Sequence, residues 1–298
     1  MNPENVIWIF GHGRTGSSWL AKMMRDLPDH ALWNEPLVGE LFGNLYYAKD
    51  GDFRGRAFIL SPELREVWLP AIRALVLDGA AARKPRLPAD GWLVIKEPHG
   101  SLGAPLLMEA LPESRLILMV RDPRDMVASA LDAHREGGFV SKNPVRRRKA
   151  EAGGSGGSAT ELLLLRLGYE AQMRMAAEDP DTFVRYRAEL LEINLRCAQQ
   201  AYDAHAGPKV LVRYEDLRAD TPATMERIYS ALGVPVDGQR LAQVVGEHDW
   251  ESIPEEEKGP GKLRRKATPG GWRDDLTAEQ ARTVEEITRP ILEAHYPS

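Results

Sequence analysis

Five consecutive apolar residues, Val6–Phe10, lead directly into a glycine-rich turn over residues 11–18, and a helical pattern follows. A buried strand, a turn and a helix start in that order direct backbone N–H groups and the positive end of a helix at one anion. Gly11, Gly16 and Ser18 have the spacing of a phosphate-binding P-loop, G-x4-G-x-S/T. The sequence therefore predicts an α/β fold whose first strand ends in a phosphate-binding loop.

One position of this loop departs from the pattern of ATPases and GTPases. Those proteins carry a lysine after the second glycine, for the β- and γ-phosphates, whereas this chain has Ser17 there. Arg14, two residues before Gly16, is the cation that the loop offers instead. The loop therefore favours a phosphate other than that of a nucleoside triphosphate.

Apolar runs alternate with helical patterns along the rest of the chain, which is typical of a parallel sheet covered by helices on both faces. The predicted strands are Val6–Phe10, Trp92–Lys96, Arg115–Val120 and Lys209–Arg213. Helices are predicted over residues 62–79, 160–177 and 181–205, from an N-cap at Thr221 to Gly233, and from Thr277 to about His295. We expect one domain over residues 1–298, with a P-loop-like parallel β-sheet flanked by helices.

Two segments lack a regular pattern. Residues 137–158 contain a basic run at 146–149 and a Gly/Ser-rich stretch at 153–158, so they form either a mobile lid over the site or a disordered segment without function. Residues 251–274 are rich in proline, glycine and charge, which predicts an irregular loop.

Composition restricts the class of partner. The net charge of −5 argues against a nucleic-acid-binding protein. Cys197 is the only cysteine, so an internal disulfide is excluded and a reducing compartment is expected. No apolar run is long enough to insert stably in a membrane, and a first strand at residue 6 leaves no room for a signal peptide. These features predict a soluble cytoplasmic protein, and they leave its oligomeric state open.

A second strand-to-helix junction follows the strand Arg115–Val120. Asp122 is suited to cap the next helix and Pro123 to occupy its first position, which predicts Arg121 at the carboxyl edge of the sheet. Ser129 lies two turns beyond Asp122 on the same helix face. A guanidinium and a hydroxyl group there predict a second anion site, and an ordinary cap with a salt bridge is the alternative.

Two further segments offer groups for a nucleotide. Tyr214 follows the last predicted strand and is suited either to stack on a base or to pack at the strand end. Residues 265–272 join the cations Arg265 and Lys266 to a turn and to Trp272, whose indole is alternatively a core anchor for this loop.

These four segments together resemble the donor-binding signature of sulfotransferases that use 3′-phosphoadenosine 5′-phosphosulfate (PAPS). Residues 14–19, Arg-Thr-Gly-Ser-Ser-Trp, are similar to the family's Lys-Ser-Gly-Thr-Thr-Trp loop, and Tyr214 begins the family's Tyr-Glu-Asp segment. Residues 265–272 are similar to its Arg-Lys-Gly-x-x-Gly-Asp-Trp loop, with Ala267 in place of the first glycine and Gly271 in place of the aspartate. The resemblance implies that the donor is bound by Arg14, Thr15, Gly16, Ser17, Ser18, Trp19, Arg121, Ser129, Tyr214, Arg265, Lys266 and Ala267.

The resemblance also implies the reaction. PAPS is the co-substrate, its sulfuryl group passes in line to a hydroxyl group, and adenosine 3′,5′-bisphosphate (PAP) is released without a metal ion. Arg14 would stabilise the charge on the departing oxygen. Lys96, at the end of a strand, would contact the sulfuryl oxygens, and its alternative is a strand-end lysine that extends to solvent.

A base is expected near the acceptor hydroxyl group. Glu35, in an Asn-Glu-Pro-Leu segment similar to one in bacterial and carbohydrate sulfotransferases, is the first candidate, although a purely structural role as a cap or ion pair is equally open. His99, three residues after Lys96, is the second candidate, and Glu97 and His12 are weaker ones.

The acceptor is a small-molecule, lipid or carbohydrate hydroxyl group, and the sequence does not choose among these. Two alternatives to a sulfotransferase stay open at this point. The first is a P-loop kinase of nucleotides or small molecules, and the second is a nucleotide-binding module without catalytic activity.

Overall fold

A computed structural model describes residues 1–48, 58–140, 168–262, 266 and 268–297 of the chain. Five strands form one parallel sheet in the order β2-β3-β1-β4-β5. Their bounds are β1 Val6–Phe10, β2 His30–Asn34, β3 Trp92–Lys96, β4 Arg115–Val120 and β5 Lys209–Arg213. The α/β fold with a parallel sheet is confirmed.

Four of these strands coincide residue for residue with the predictions, and β2 was not predicted. β1 and β4 are apolar runs that are buried along nearly their whole length. β2 instead lies at the edge of the described sheet, where it pairs with β3, and it is half-buried except at Asn34, which is exposed. Its sequence, His-Ala-Leu-Trp-Asn, accordingly lacks a continuous apolar run.

The helices agree with the predicted pattern in place and differ at some ends. Their bounds are α1 Ser17–Arg25, α2 Val38–Ala48, α3 Arg65–Arg83, α4 Ala104–Ala110, α5 Pro123–His134, α6 Tyr169–Glu178, α7 Pro180–Ala204, α8 Tyr214–Ala219, α9 Thr221–Leu232, α10 Gly238–Glu247, α11 Trp272–Asp275, α12 Ala278–Ile287 and α13 Arg289–His295. Short 3-10 turns lie at Pro3–Asn5, Pro62–Leu64, Ser101–Gly103 and Glu255–Glu257.

The capping predictions are mostly confirmed. Asp122 caps α5 by accepting a hydrogen bond from the Arg124 amide, and Thr277 forms the predicted capping box at the start of α12. The predicted N-cap of α9 was wrong: the carboxylate of Asp220 accepts the hydrogen bond from the helix, and Thr221 is already helical. The helix predicted from Thr277 to His295 is divided in two, since α12 ends before Thr288 and α13 begins after it.

The described residues group into two compact units. The first unit, Met1–Val120 with Asn194–His248, contains the five-stranded sheet, and the second, Arg121–Ile193 with Asp249–Ser298, consists of helices and irregular loops where it is described. In the first unit, alternate residues of β1 pack on opposite faces, as Ile7 and Ile9 join a core with α1 and α9. The single-domain prediction stays a prediction.

Several predictions lie partly outside the described residues. Residues 141–158 of the predicted lid, including the basic and Gly/Ser-rich runs, are among them, as are residues 160–167 of a predicted helix. Cys197 is buried in α7, as expected for a packing role. Among the helices that the structure describes, none has the length and apolar composition needed to cross a membrane.

Candidate active site

The loop after β1 has the backbone of an anion-binding turn. Arg14 and Gly16 both have left-handed φ angles, 78° and 85°, and α1 begins at Ser17 without a side-chain cap on its first amides. Alternation of backbone handedness next to a free helix start turns successive N–H groups toward one point. The predicted P-loop-like geometry is therefore present in the chain around Gly16.

Contacts within the first unit hold this loop in place. The hydroxyl of Thr15 donates to the carbonyl of His12 at 2.9 Å, and the amide of Gly11 donates to the hydroxyl of Ser101 at 2.9 Å. A Cβ atom on Gly16 would lie 2.6 Å from the Tyr214 ring. Glycine is required there twice, by the φ angle and by the approach of the ring.

Lys96, the last residue of β3, joins the loop to a candidate base. Its Nζ donates to the hydroxyl of Ser18 at 3.0 Å and to Oε1 of Glu35 at 2.6 Å. The Lys96 side chain is only 3% exposed, so its charge-assisted hydrogen bonds are largely shielded from bulk solvent. The snorkelling alternative for this lysine is wrong, because its ammonium group is buried between two site residues.

The β2–β3 register explains why Glu35 lies beside Lys96. Asn34 pairs with Lys96 in the parallel ladder, and the amide of Glu35 then donates to the carbonyl of Lys96 at 2.8 Å. Glu35 also has a left-handed φ of 51°, which turns the chain at the end of β2. Sequence reasoning chose Glu35 from a motif, although the strand that positions it was missed.

The second candidate base also lies beside the loop. His99 packs against Gly13, where a Cβ atom would lie 3.0 Å from Cε1 of the imidazole ring. The structure therefore brings both candidates to the loop of the first unit, Glu35 through Lys96 and His99 through Gly13.

Two aromatic residues predicted to bind the donor also have packing roles. The indole N–H of Trp19 donates to the carbonyl of His248 at 2.9 Å, which ties α1 to the end of α10. Tyr214 is the first residue of α8 and is buried with its ring against Gly16.

In the second unit, Asp125 connects two of the predicted donor-binding segments. Its carboxylate lies 3.7 Å from the guanidinium of Arg121 and accepts hydrogen bonds from the amides of Gly270 at 2.7 Å and Trp272 at 2.9 Å. Arg121 and Ser129, the predicted anion-binding pair, are both nearly buried. Sequence reasoning missed the role of Asp125, for which the only sequence indication was an acid one helical turn after Arg121.

The glycine-rich loop near the C-terminus is fixed by cations and acids of the second unit. The Trp272 ring lies under the guanidinium groups of Arg124, at 4.3 Å, and Arg273, at 4.5 Å. Lys266 Nζ is 3.1 Å from a carboxylate oxygen of Asp275. Arg265 and Ala267 lie outside the described residues, so their predicted roles stay predictions.

A cavity of about 760 Å³ lies elsewhere, near the amino ends of β2 and β3. His30 and Trp92, the first residues of these strands, line it. The candidate active-site residues of the first unit lie at the carboxyl ends, where open α/β sheets bind their ligands.

Comparison with known proteins gives the family. A family model described as sulfotransferase domain matches residues 4–295, and the chain belongs to this family. The prediction of a PAPS-dependent sulfotransferase is confirmed, and neither alternative class gains support. No curated protein matches the chain.

Solved structures agree on the fold. The crystal structure of mouse sulfotransferase SULT7A1 complexed with PAP is 14% identical, with a TM-score of 0.56, over 99% of this chain and 86% of that one. Sulfotransferase STF9 from Mycobacterium avium is 14% identical, with a TM-score of 0.53, over 100% of this chain and 78% of that one.

Proposed function

We propose that this sulfotransferase transfers the sulfuryl group of PAPS to the hydroxyl group of a small acceptor, with Glu35 as the base and Lys96 as the cation at the reacting group. The observation that carries the proposal is the position of the Lys96 ammonium, hydrogen-bonded to Ser18 in the phosphate loop and to Glu35 at once. One cation thus connects the donor loop with a carboxylate that can accept a proton.

The loop would hold the 5′-phosphosulfate end of the donor. Backbone amides around Gly16, with Ser17, Ser18 and the guanidinium of Arg14, face the charge that builds on the bridging oxygen as its bond to sulfur breaks. A new bond forms between sulfur and the acceptor oxygen, whose proton passes to Glu35. We assign no metal ion to this step.

The 3′-phosphate end would be held by the residue pair that the resemblance assigns to it. Arg121 and Ser129 supply a guanidinium and a hydroxyl group for this phosphate, and Asp125 keeps Arg121 and the Gly270 turn in place. The remaining donor-binding assignments carried over from the resemblance are Thr15, Trp19, Tyr214, Arg265, Lys266 and Ala267.

The acceptor is proposed to have an apolar body. Gly39 and Gly43 of α2 pack so closely on the turn after β3 that Cβ atoms there would clash with its backbone. Leu37, the residue before this helix, and Leu41 and Leu45 within it follow a four-residue spacing and are between 42% and 53% exposed. This leucine row begins two residues after Glu35, so it favours a lipid-like or aromatic alcohol over a sugar as the acceptor. We also propose that the protein is cytoplasmic and binds no nucleic acid.

The experiment is transfer from ³⁵S-labelled PAPS to a panel of acceptors: a long-chain alcohol, a phenol, a sterol and a simple sugar. We expect the wild-type protein to form labelled product with an apolar alcohol. The matched control is the Arg14→Ala variant, which we expect to form none. Labelled sugar in preference to the apolar alcohols would contradict the acceptor proposal, and transfer by the Arg14→Ala variant at the wild-type rate would contradict the role of the loop.

A further inference from the structure

Helix α2 follows a residue whose side chain cannot cap it. The residue before it is Leu37, which has no hydrogen-bond acceptor in its side chain. The first amides of a helix have no partner within the helix and need an acceptor from elsewhere. Here the amide of Gly39 donates to Oε1 of Glu97 at 3.2 Å. The carboxylate of Glu97, from the turn after β3, therefore caps α2.

The turn that precedes α2 requires such support. Glu35 and Leu37 both have left-handed φ angles, 51° and 64°, on either side of Pro36. This conformation is unfavourable for residues with a side chain, and most of all for a bulky one. The contacts around the turn must therefore hold it.

Two consecutive residues hold the two ends of this turn. The carbonyl of Lys96 accepts the hydrogen bond from the amide of Glu35 at 2.8 Å, and the carboxylate of Glu97 accepts that of Gly39. The Lys96 ammonium then binds the Glu35 carboxylate. The direction of the Glu35 side chain is thus set by a turn whose two ends are both held by hydrogen bonds.

Glu97 is itself fixed. It is fully buried, and its amide donates to the carbonyl of Ile9 in β1 at 3.0 Å. The chain folds back over its carboxylate at Gly100, where a Cβ atom would lie 2.8 Å from Cδ of Glu97. A carboxylate enclosed in this way does not reach an acceptor hydroxyl group, so Glu97 is not the base.

We propose that Glu97 is a positioning residue, which aims Glu35 at the acceptor oxygen by capping α2 from the turn after β3. The inference rests on the proposed function, in which Glu35 is the base. Burial raises the pKa of Glu97 to about 7, and the amides of Gly39, Val38 and Leu37 act against this by favouring the charged form. These amides at the start of α2 are the groups that a cap satisfies.

The test compares Glu97→Gln with Glu97→Ala. Glutamine keeps an oxygen for the Gly39 amide, and alanine removes it. The readouts are crystal structures with PAP, PAP affinity by calorimetry, and sulfate released from ³⁵S-labelled PAPS with water as the acceptor. The matched control is Ser114→Ala, which removes a buried hydroxyl that donates to the carbonyl of Leu111, away from Glu35.

We expect the glutamine variant to retain kcat within about 3-fold and the alanine variant to lose about 10-fold or more, both with PAP affinity unchanged. In the alanine structure, the contact between Glu35 and Lys96 is broken. Ser114→Ala lowers the melting temperature and leaves kcat unchanged. If the alanine variant does not fold, Glu97→Asp, which is shorter by one methylene group, replaces it with the same expectations.

An intact contact between Glu35 and Lys96 in the alanine variant, together with a wild-type kcat, would overturn the proposal. A parallel Glu35→Gln variant separates this failure from failure of the proposed function. If that variant turns over normally, Glu35 is not the base, and the positioning role is decided by the crystallographic distance alone.

Discussion

Lys96 contacts Glu35 twice, through its ammonium group, 2.6 Å from the Glu35 carboxylate, and through its carbonyl, 2.8 Å from the Glu35 amide. One contact fixes the backbone and the other the side chain. The pair therefore has a defined geometry at the carboxyl ends of two neighbouring strands, next to Ser18 of the phosphate loop.

Glu35→Gln keeps the shape of the side chain and its hydrogen bond with Lys96 but cannot accept a proton. We expect turnover to fall about 10²-fold while PAP affinity is unchanged, because only the proton transfer is lost. Steady-state transfer of the ³⁵S label measures turnover, and calorimetry measures PAP affinity. If His99→Asn causes the loss instead and Glu35→Gln does not, the assignment of the base is reversed.

Lys96→Met retains an unbranched side chain of similar length without its charge. We expect turnover to fall about 10² to 10³-fold, as when one stabilising donor is removed from a reacting group. The control is Lys209→Met. Lys209 is the first residue of β5, and its ammonium group donates to the carbonyls of Tyr202 and His205, so it has a structural role away from Glu35. Equal turnover losses in the two variants would point to a stability effect and against a catalytic one.

Gly16→Ala tests the loop. An alanine at this position would have to adopt a φ of 85°, and its Cβ atom would lie 2.6 Å from the Tyr214 ring. We expect PAP affinity to fall at least about 10-fold, because the backbone amides move away from the anion. Gly238→Ala, at the start of α10 with open space around it, should leave PAP affinity unchanged. Normal PAP binding by the Gly16→Ala variant would show that the loop is not the donor site.

The sequence predicted those parts of this site that are local in the chain. The loop, the strands β1, β3, β4 and β5, and the cap at Asp122 follow from apolar runs and from residue types at fixed offsets. β2 could not be predicted in this way, because it is an edge strand that is only partly buried and has no continuous apolar run. The contact between Glu35 and Lys96 depends on the pairing of β2 with β3, which joins residues 61 positions apart and has no local pattern.

Asp125 is a second residue whose contacts have no local pattern in the sequence, because its partners Gly270 and Trp272 lie 145 and 147 positions away.

Asp125→Asn puts an amide group opposite a backbone N–H donor and removes the counter-charge of Arg121. We expect a loss of about 2 to 4 kcal/mol in the free energy of unfolding, with weaker PAP binding. Denaturant titration measures the stability change.

The matched control for that change is Asp132→Asn on the same helix. Asp132 accepts a hydrogen bond from the amide of Gly261 at 3.0 Å, and asparagine can still accept it. We expect less than about 1 kcal/mol for this variant. Similar losses for the two variants would contradict the special role of Asp125.

Glu97 makes stability depend on pH. Burial raises its pKa from 4.5 to about 7. Between pH 4.5 and about pH 7, Glu97 has lost its proton in the unfolded chain but still binds it in the folded protein. The free energy of unfolding therefore falls as pH rises, and the total loss reaches about 3 kcal/mol above pH 7. Glu97→Gln has no such proton, so its melting temperature minus that of wild type should increase from pH 5 to pH 8. A difference that is constant over this range would contradict the raised pKa.

The most direct test of the central claim is calorimetric titration of the whole chain with PAP in the presence of EDTA, and with ATP and Mg²⁺. We predict tight binding of PAP alone, weakened at least about 10-fold by Arg14→Ala at one end of the donor and by Arg121→Ala at the other. Tighter binding of ATP with Mg²⁺, or wild-type PAP affinity in both variants, would contradict it.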